Sequence, residues 1–118
     1  MPLTDVQLSP RKASLLLSQE IRRLQFRLER LEHGMEAFYA AGGASLGTVA
    51  ITALQELDML AQSTDALAAY VEKLSSRFAD DTRVDLTPEL SQVPLRELRS
   101  RLAGRHLEEL SANAPELF

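Results

Sequence analysis

Two runs of apolar residues, each stepping by four and three, constrain this chain more than any other feature. In the first, Leu17, Ile21, Leu24, Leu28, Leu31, Met35 and Phe38 follow one another without a gap. In the second, Leu46, Ala50, Ala53, Leu57, Leu60, Thr64, Leu67, Val71, Leu74 and Phe78 do the same. Such steps keep one face of an α-helix turned to a neighbour. Ser9-Pro10 suits the start of the first helix. Serine caps, and proline at the first helical position loses no needed N–H. Ala41-Gly42-Gly43 is the break between the runs, because adjacent glycines permit the positive φ of a helix end and a tight reversal. Ser45 can cap the second helix. Gly34 lies inside the first and weakens it by about 1 kcal/mol relative to alanine.

The expected fold is all-α. It is a long antiparallel helical hairpin with helices at about 9–40 and 45–79, each on the order of 45–55 Å long. Residues 1–8 read as a flexible N-terminal tail. The stretch 80–93 reads as a linker with one short turn at Thr87-Pro88-Glu89, since it holds a proline and several capping residues. Pro94 opens an amphipathic helix over 94–112, followed by a tail at 113–118. A lone hairpin leaves much apolar surface wet, and Ile51 and Leu54 add apolar flanks beside the second seam. The remedy the pattern suggests is a homodimer, two hairpins forming a four-helix bundle. The alternative is a monomer whose C-terminal helix folds back as a third helix.

At 118 residues the chain is sized for one domain, and with 45% hydrophobic and 25% charged residues it can bury a core. There is no cysteine, which excludes a disulfide framework and thiolate chemistry and fits a cytoplasmic protein. The net charge of −4 argues against a nucleic-acid partner. Arg22, Arg23, Arg27 and Arg30 are interspersed with Glu20, Glu29 and Glu32, the pattern of a mixed solvated face. MPLTDVQLSPRK lacks the apolar run of a signal peptide, and ASLGTVAITAL is too short to span a bilayer. His33 and His106 lie in different segments without zinc spacing, and the sequence holds no phosphate loop and no nucleophile elbow.

What remains is an acid and an amide four residues apart. Asp58 and Gln62 sit one turn apart on the second helix, beside the Leu57/Leu60 seam and towards solvent. A fixed amide can orient a water and a fixed carboxylate can pair with a lysine, but neither is a strong base or nucleophile. The pair makes chemical sense if a partner supplies the reactive phosphoryl group and the metal.

The segment ELDMLAQ resembles the DxxxQ motif of CheZ-type chemotaxis phosphatases, where it also lies on the second helix of a long hairpin. The order of hairpin, linker and C-terminal amphipathic helix is similar too, and the short length resembles the small CheZ-like proteins called CheT. The resemblance implies a dimeric four-helix bundle that dephosphorylates a CheY-like response regulator. Gln62 would position water in line with the aspartyl phosphate, and Asp58 would pair with the regulator's lysine. The Mg²⁺ would belong to the regulator, so this chain would need no cofactor of its own. The C-terminal helix, with Leu95, Leu98, Arg99, Leu102 and Leu110, would be a tethered docking element. Its basic first half, with Arg96, Arg99, Arg101 and Arg105, departs from the acidic tail expected of such an element. Two other readings stand beside this one: a non-enzymatic dimeric adaptor, and a phosphotransfer protein using His33, which lacks the Lys-Gly usually found shortly after such a histidine.

Overall fold

The computed structural model describes residues 5–42 and 47–105. Its elements run β1 (Gln7–Leu8), α1 (Pro10–Ala40), α2 (Gly47–Ser75), β2 (Val84–Asp85), α3 (Thr87–Ser91) and α4 (Arg96–Leu102). The chain is mostly helical, and two long helices packed against each other form the expected hairpin. It divides into two compact units. One holds residues 21–70; the other holds residues 1–20 together with 71–118.

In the first unit, α1 ends where Gly42 takes φ +113°, the left-handed region foreseen for the glycine pair. Ser45 lies outside the described residues. The packing seam differs from the expected one. On the part of α2 in this unit the buried residues are Ala50, Ala61 and Ala68, with Leu54, Leu57 and Thr64 half-buried between them. On α1 the half-buried positions include Ile21, Gln25, Leu28, Glu32, Met35 and Tyr39. Only one of the two expected heptad positions therefore faces the other helix. Leu24, Leu31 and Phe38 on α1, with Leu60 and Leu67 on α2, are between 43% and 59% exposed. Alanine supplies the most buried positions of α2, and the apolar residues farther round each helix are turned to one side.

The second unit corrects the expectation of a flexible tail through residue 8. Val6 and Leu8 are buried in a core with Leu16 and Leu90, and Ala13, Leu86, Leu102 and Ala103 pack against it. β1 pairs antiparallel with β2, Gln7 opposite Asp85 and Leu8 opposite Val84. The Leu86 N–H donates to the Val6 carbonyl at 2.9 Å, and the Val6 N–H to Thr87 Oγ1 at 2.9 Å. Alternation explains the anchoring: Val6 and Leu8 point inward while Asp5 and Gln7 point out.

Ser9 caps α1 as its position suggests, its Oγ accepting from the Lys12 N–H at 3.1 Å. The Ser9 hydroxyl also donates to Asp80, and Arg11 Nε donates to the Phe78 carbonyl at 3.1 Å, so the start of α1 is tied to the segment after α2. α2 stops at Ser75, four residues before the expected 79. There the Ser75 and Ser76 hydroxyls donate to the Glu72 and Lys73 carbonyls, 2.7 Å each, a local alternative to helix continuation. The expected turn at Thr87-Pro88-Glu89 is the helix α3, and the Asp85 carboxylate accepts the Thr87 N–H at 3.0 Å. Hydrogen bonds from the Thr87 side chain and backbone hold Asp85 below the usual carboxylate range.

Of the helix expected over 94–112, the described part forms α4 over Arg96–Leu102, and residues 106–112, like the tail at 113–118, lie outside the described residues. α4 ends at Leu102, where Gly104 takes φ +85°. The Arg105 N–H donates to the Ser100 carbonyl and the Gly104 N–H to the Arg101 carbonyl, 3.0 Å each, the paired bonds that terminate a helix with a left-handed glycine. A Cβ at Gly104 would lie 3.7 Å from Leu16 Cδ1, so this turn packs against the core. α4 is also fixed by Arg101 Nε, which donates to Glu20 Oε2 at 2.8 Å with both side chains largely shielded, 19% and 11% exposed. Arg101→Met is expected to lower stability by about 1.5–3 kcal/mol, the scale of a hydrogen bond to a charged group. Urea unfolding measures it, and Glu20→Met combined with Arg101→Met should recover part of the loss, because the shielded carboxylate is removed together with the guanidinium that offsets its charge.

Candidate functional site

Asp58 and Gln62 both lie on α2 within the unit of residues 21–70, and both side chains are exposed. Gln62 Nε2 donates to Asp58 Oδ2 at 2.7 Å. The spacing of four brings the two groups into direct contact, as expected of neighbours one turn apart on a helix. In the free chain the amide and the carboxylate are therefore each other's partner.

The sequence did not single out a third carboxylate that the fold brings to this place. Glu32, on α1, stands beside Asp58. Partial desolvation, the charge of Asp58 and a hydrogen bond shared with it push the Glu32 carboxyl above its usual range, and Glu36 adds to this while His33 opposes it. In the sequence Glu32 reads only as one charge of a mixed face. The antiparallel register carries the missing signal, since it sets the middle of α1 against the middle of α2.

Further along the same edge, Arg22 pairs with Asp65, seven residues after Asp58. Arg22 Nη1 also donates to Gln25 Oε1 at 2.9 Å, and Gln25 Nε2 to Glu29 Oε2 at 3.2 Å. A residue of an α-helix turns about 100° from the one before. From the alanine seam of α2, Asp58, Gln62 and Asp65 rotate one way and Leu60 and Leu67 the other. On α1, Gln25, Glu29 and Glu32 rotate to the polar side, and Leu24, Leu31 and Phe38 to the other. The unit thus has one polar side, which carries Asp58 and Gln62, and one apolar side.

The remaining candidate residues are dispersed. His33 is exposed, its Nδ1 3.6 Å from Glu36 Oε1. His106 and Leu110 lie outside the described residues. Leu95 is exposed at the N-cap of α4, Leu98 is half-buried, Arg99 Nη1 donates weakly to the Val93 carbonyl at 3.4 Å, and Leu102 packs against the core. α4 is thus seated on its own unit, the plainer of the two roles its sequence allows. Among the described residues no group of three histidine or carboxylate side chains is placed to hold a metal ion. Among them, too, no helix is long and apolar enough to cross a membrane.

The class defined by this geometry is a mostly helical hairpin domain with an acid–amide pair on one helical edge. The chain belongs to the DUF8776 family, a domain of unknown function, whose match spans residues 14–118. No curated protein and no solved structure matches it.

The raised Glu32 carboxyl has a consequence for pH. The folded chain holds this proton more tightly than the unfolded chain does, so stability falls as pH rises from the ordinary carboxylate range through the raised value. Asp58→Asn is expected to move the Glu32 titration down towards the ordinary range, because it removes the like charge. Side-chain carboxyl NMR across a pH series follows that resonance, and an unchanged Glu32 titration in the variant would show that Asp58 is not its neighbour.

Proposed function

We propose that the chain is a phosphatase of a CheY-like response regulator, with Gln62 and Asp58 as its working groups. The observation that carries this reading is the contact between Gln62 and Asp58 on an exposed helical edge. An amide and a carboxylate have little chemistry alone, but presented together they fit a partner that brings its own phosphoryl group, lysine and Mg²⁺. No cofactor of the chain's own is needed.

On docking, the regulator's lysine ammonium takes the Asp58 carboxylate. That exchange releases the Gln62 amide from Asp58 and leaves it beside the aspartyl phosphate. Gln62 then orients a water in line with the phosphorus. The water oxygen forms the new P–O bond, the bond from phosphorus to the regulator's aspartyl oxygen breaks, and the water proton passes to solvent. The products are inorganic phosphate and the free carboxylate. Placement of the nucleophile is a sufficient source of rate in phosphoryl transfer, where little covalent work falls to the protein. In this reading two hairpins pair as a homodimeric four-helix bundle in the cytoplasm. Regulator docking falls to the edge around Asp58, since Leu102 and Arg101 already hold α4 to its own unit.

The test uses response regulators from the same source, phosphorylated by a small phosphodonor with Mg²⁺. Catalytic amounts of the chain are expected to accelerate phosphate release. Gln62→Ala should abolish the acceleration while stability stays within about ±0.5 kcal/mol, as for an exposed site. His33→Ala should leave the rate unchanged. Acceleration that survives Gln62→Ala, or a folded chain inactive on every regulator, would sink the reading and favour the adaptor role.

A further inference from the structure

Asp58 is engaged from both helices. Gln62 Nε2 donates to its Oδ2 at 2.7 Å along α2, and Glu32 shares a hydrogen bond with it from α1. The register puts Glu32 there. Arg22 meets Asp65, so seven residues back along α2 to Asp58 correspond to seven residues on along α1 to Glu29. Glu32 follows on the same polar side, about 4.5 Å further along the helix and within the reach of two side chains. Glu29 accepts from Gln25, and Arg22 is engaged by Asp65 and Gln25. Among the described residues no arginine or lysine pairs with Asp58 or Glu32. On α1 itself, Glu36 adds to the negative charge beside Glu32 and His33 opposes it.

We propose that Glu32 is a positioning residue for the exchange at Asp58, making an ammonium rather than the Gln62 amide the preferred neighbour of that carboxylate. This role rests on the phosphatase reading and supplies the reason that Gln62 is released. A neutral amide donor gains little from a second carboxylate close by, whereas a cation gains from each. With Glu32 ionised beside Asp58, an arriving lysine ammonium meets negative charge from two helices, and its entry relieves the repulsion between them. Gln62 is then left to turn to the aspartyl phosphate. Glu32 touches neither the phosphoryl group nor the water; it acts through Asp58.

A proton on Glu32 has the opposite effect. The protonated carboxyl donates to Asp58, cancels the second charge and adds a donor that the ammonium must displace. Docking therefore strengthens as pH rises through the raised titration of Glu32, with the proton passing to solvent. Glu32→Gln fixes a copy of the protonated state, a neutral group with a donor for Asp58. Asp58 is exposed and Glu32 half-buried, so the effect is graded and is screened by salt.

The test measures phosphate release by the full chain over a range of phosphorylated regulator concentrations. At neutral pH and low salt, Glu32→Gln is expected to raise KM about fivefold, the scale of one unit charge acting across about 4 Å of water, with kcat and helical circular dichroism unchanged. The ratio of variant to wild-type KM should fall towards one at about 0.5 M salt, where the Debye length is on the order of 4 Å. It should also fall towards one as pH drops through the Glu32 titration. Glu32→Asp, which keeps the charge, should stay within about twofold of the wild type. A KM that Glu32→Gln leaves unchanged, a rise indifferent to both salt and pH, a loss confined to kcat, or a Glu32→Asp chain as impaired as Glu32→Gln overturns the role of Glu32, while the phosphatase reading still stands or falls on Gln62→Ala. A wild-type chain that accelerates phosphate release from no regulator overturns both.

Discussion

Everything else in the hairpin depends on the contact of two long helices through alanine. Ala50, Ala61 and Ala68 are the buried residues of α2 in the 21–70 unit, and the larger Leu54 and Leu57 are half-buried between them. Small residues at a helix contact permit a short interaxial distance. The leucines one position aside are turned out together. The residues on the other flank, Asp58, Gln62 and Asp65, are turned out the opposite way. A single choice of residue size at the contact thus sorts the surface into an apolar side and a polar side.

The polar side is held by interactions that cross between helices and along them. Arg22 reaches Asp65, and Glu32 shares a hydrogen bond with Asp58. These exposed contacts contribute little stability, since surface ion pairs are screened by water and salt. Their effect is on register, because they fix which part of α1 stands beside Asp58. The mutual hydrogen bond of Asp58 and Gln62 keeps both groups engaged until something with higher affinity for the carboxylate arrives, and an ammonium group meets that description.

The other unit solves a different problem. The ends of the long helices need a cover, and short elements supply it: a two-residue strand from each side, one turn of helix and the seven-residue α4. The Val6, Leu8, Leu16 and Leu90 cluster is small, and the shielded Glu20–Arg101 pair and the capped, tied Ser9 add directional constraints around it. The basic first half of α4 is explained in part by this role, since Arg101 neutralises Glu20 rather than facing solvent.

The hairpin and the acid–amide edge were legible in the residues because both depend on local spacing. A four-and-three apolar period needs only the pitch of a helix, and a separation of four needs only one turn. Gly42 ends α1 and Ser9 caps it for reasons that are equally local. What the sequence could not decide was which half of each seam faces inward, because both halves satisfy the same binary pattern and only the packing of the two helices separates them. Nor could it place Val6 and Leu8 in a core, since their partners Leu86 and Leu90 come from about eighty residues away, or set Glu32 beside Asp58, since that neighbour comes from the other helix. Local geometry, written in the order of residues, determined the helices and the candidate pair. Contacts between distant segments, which exist only once the chain has folded, decided the sides, the cover and the third carboxylate.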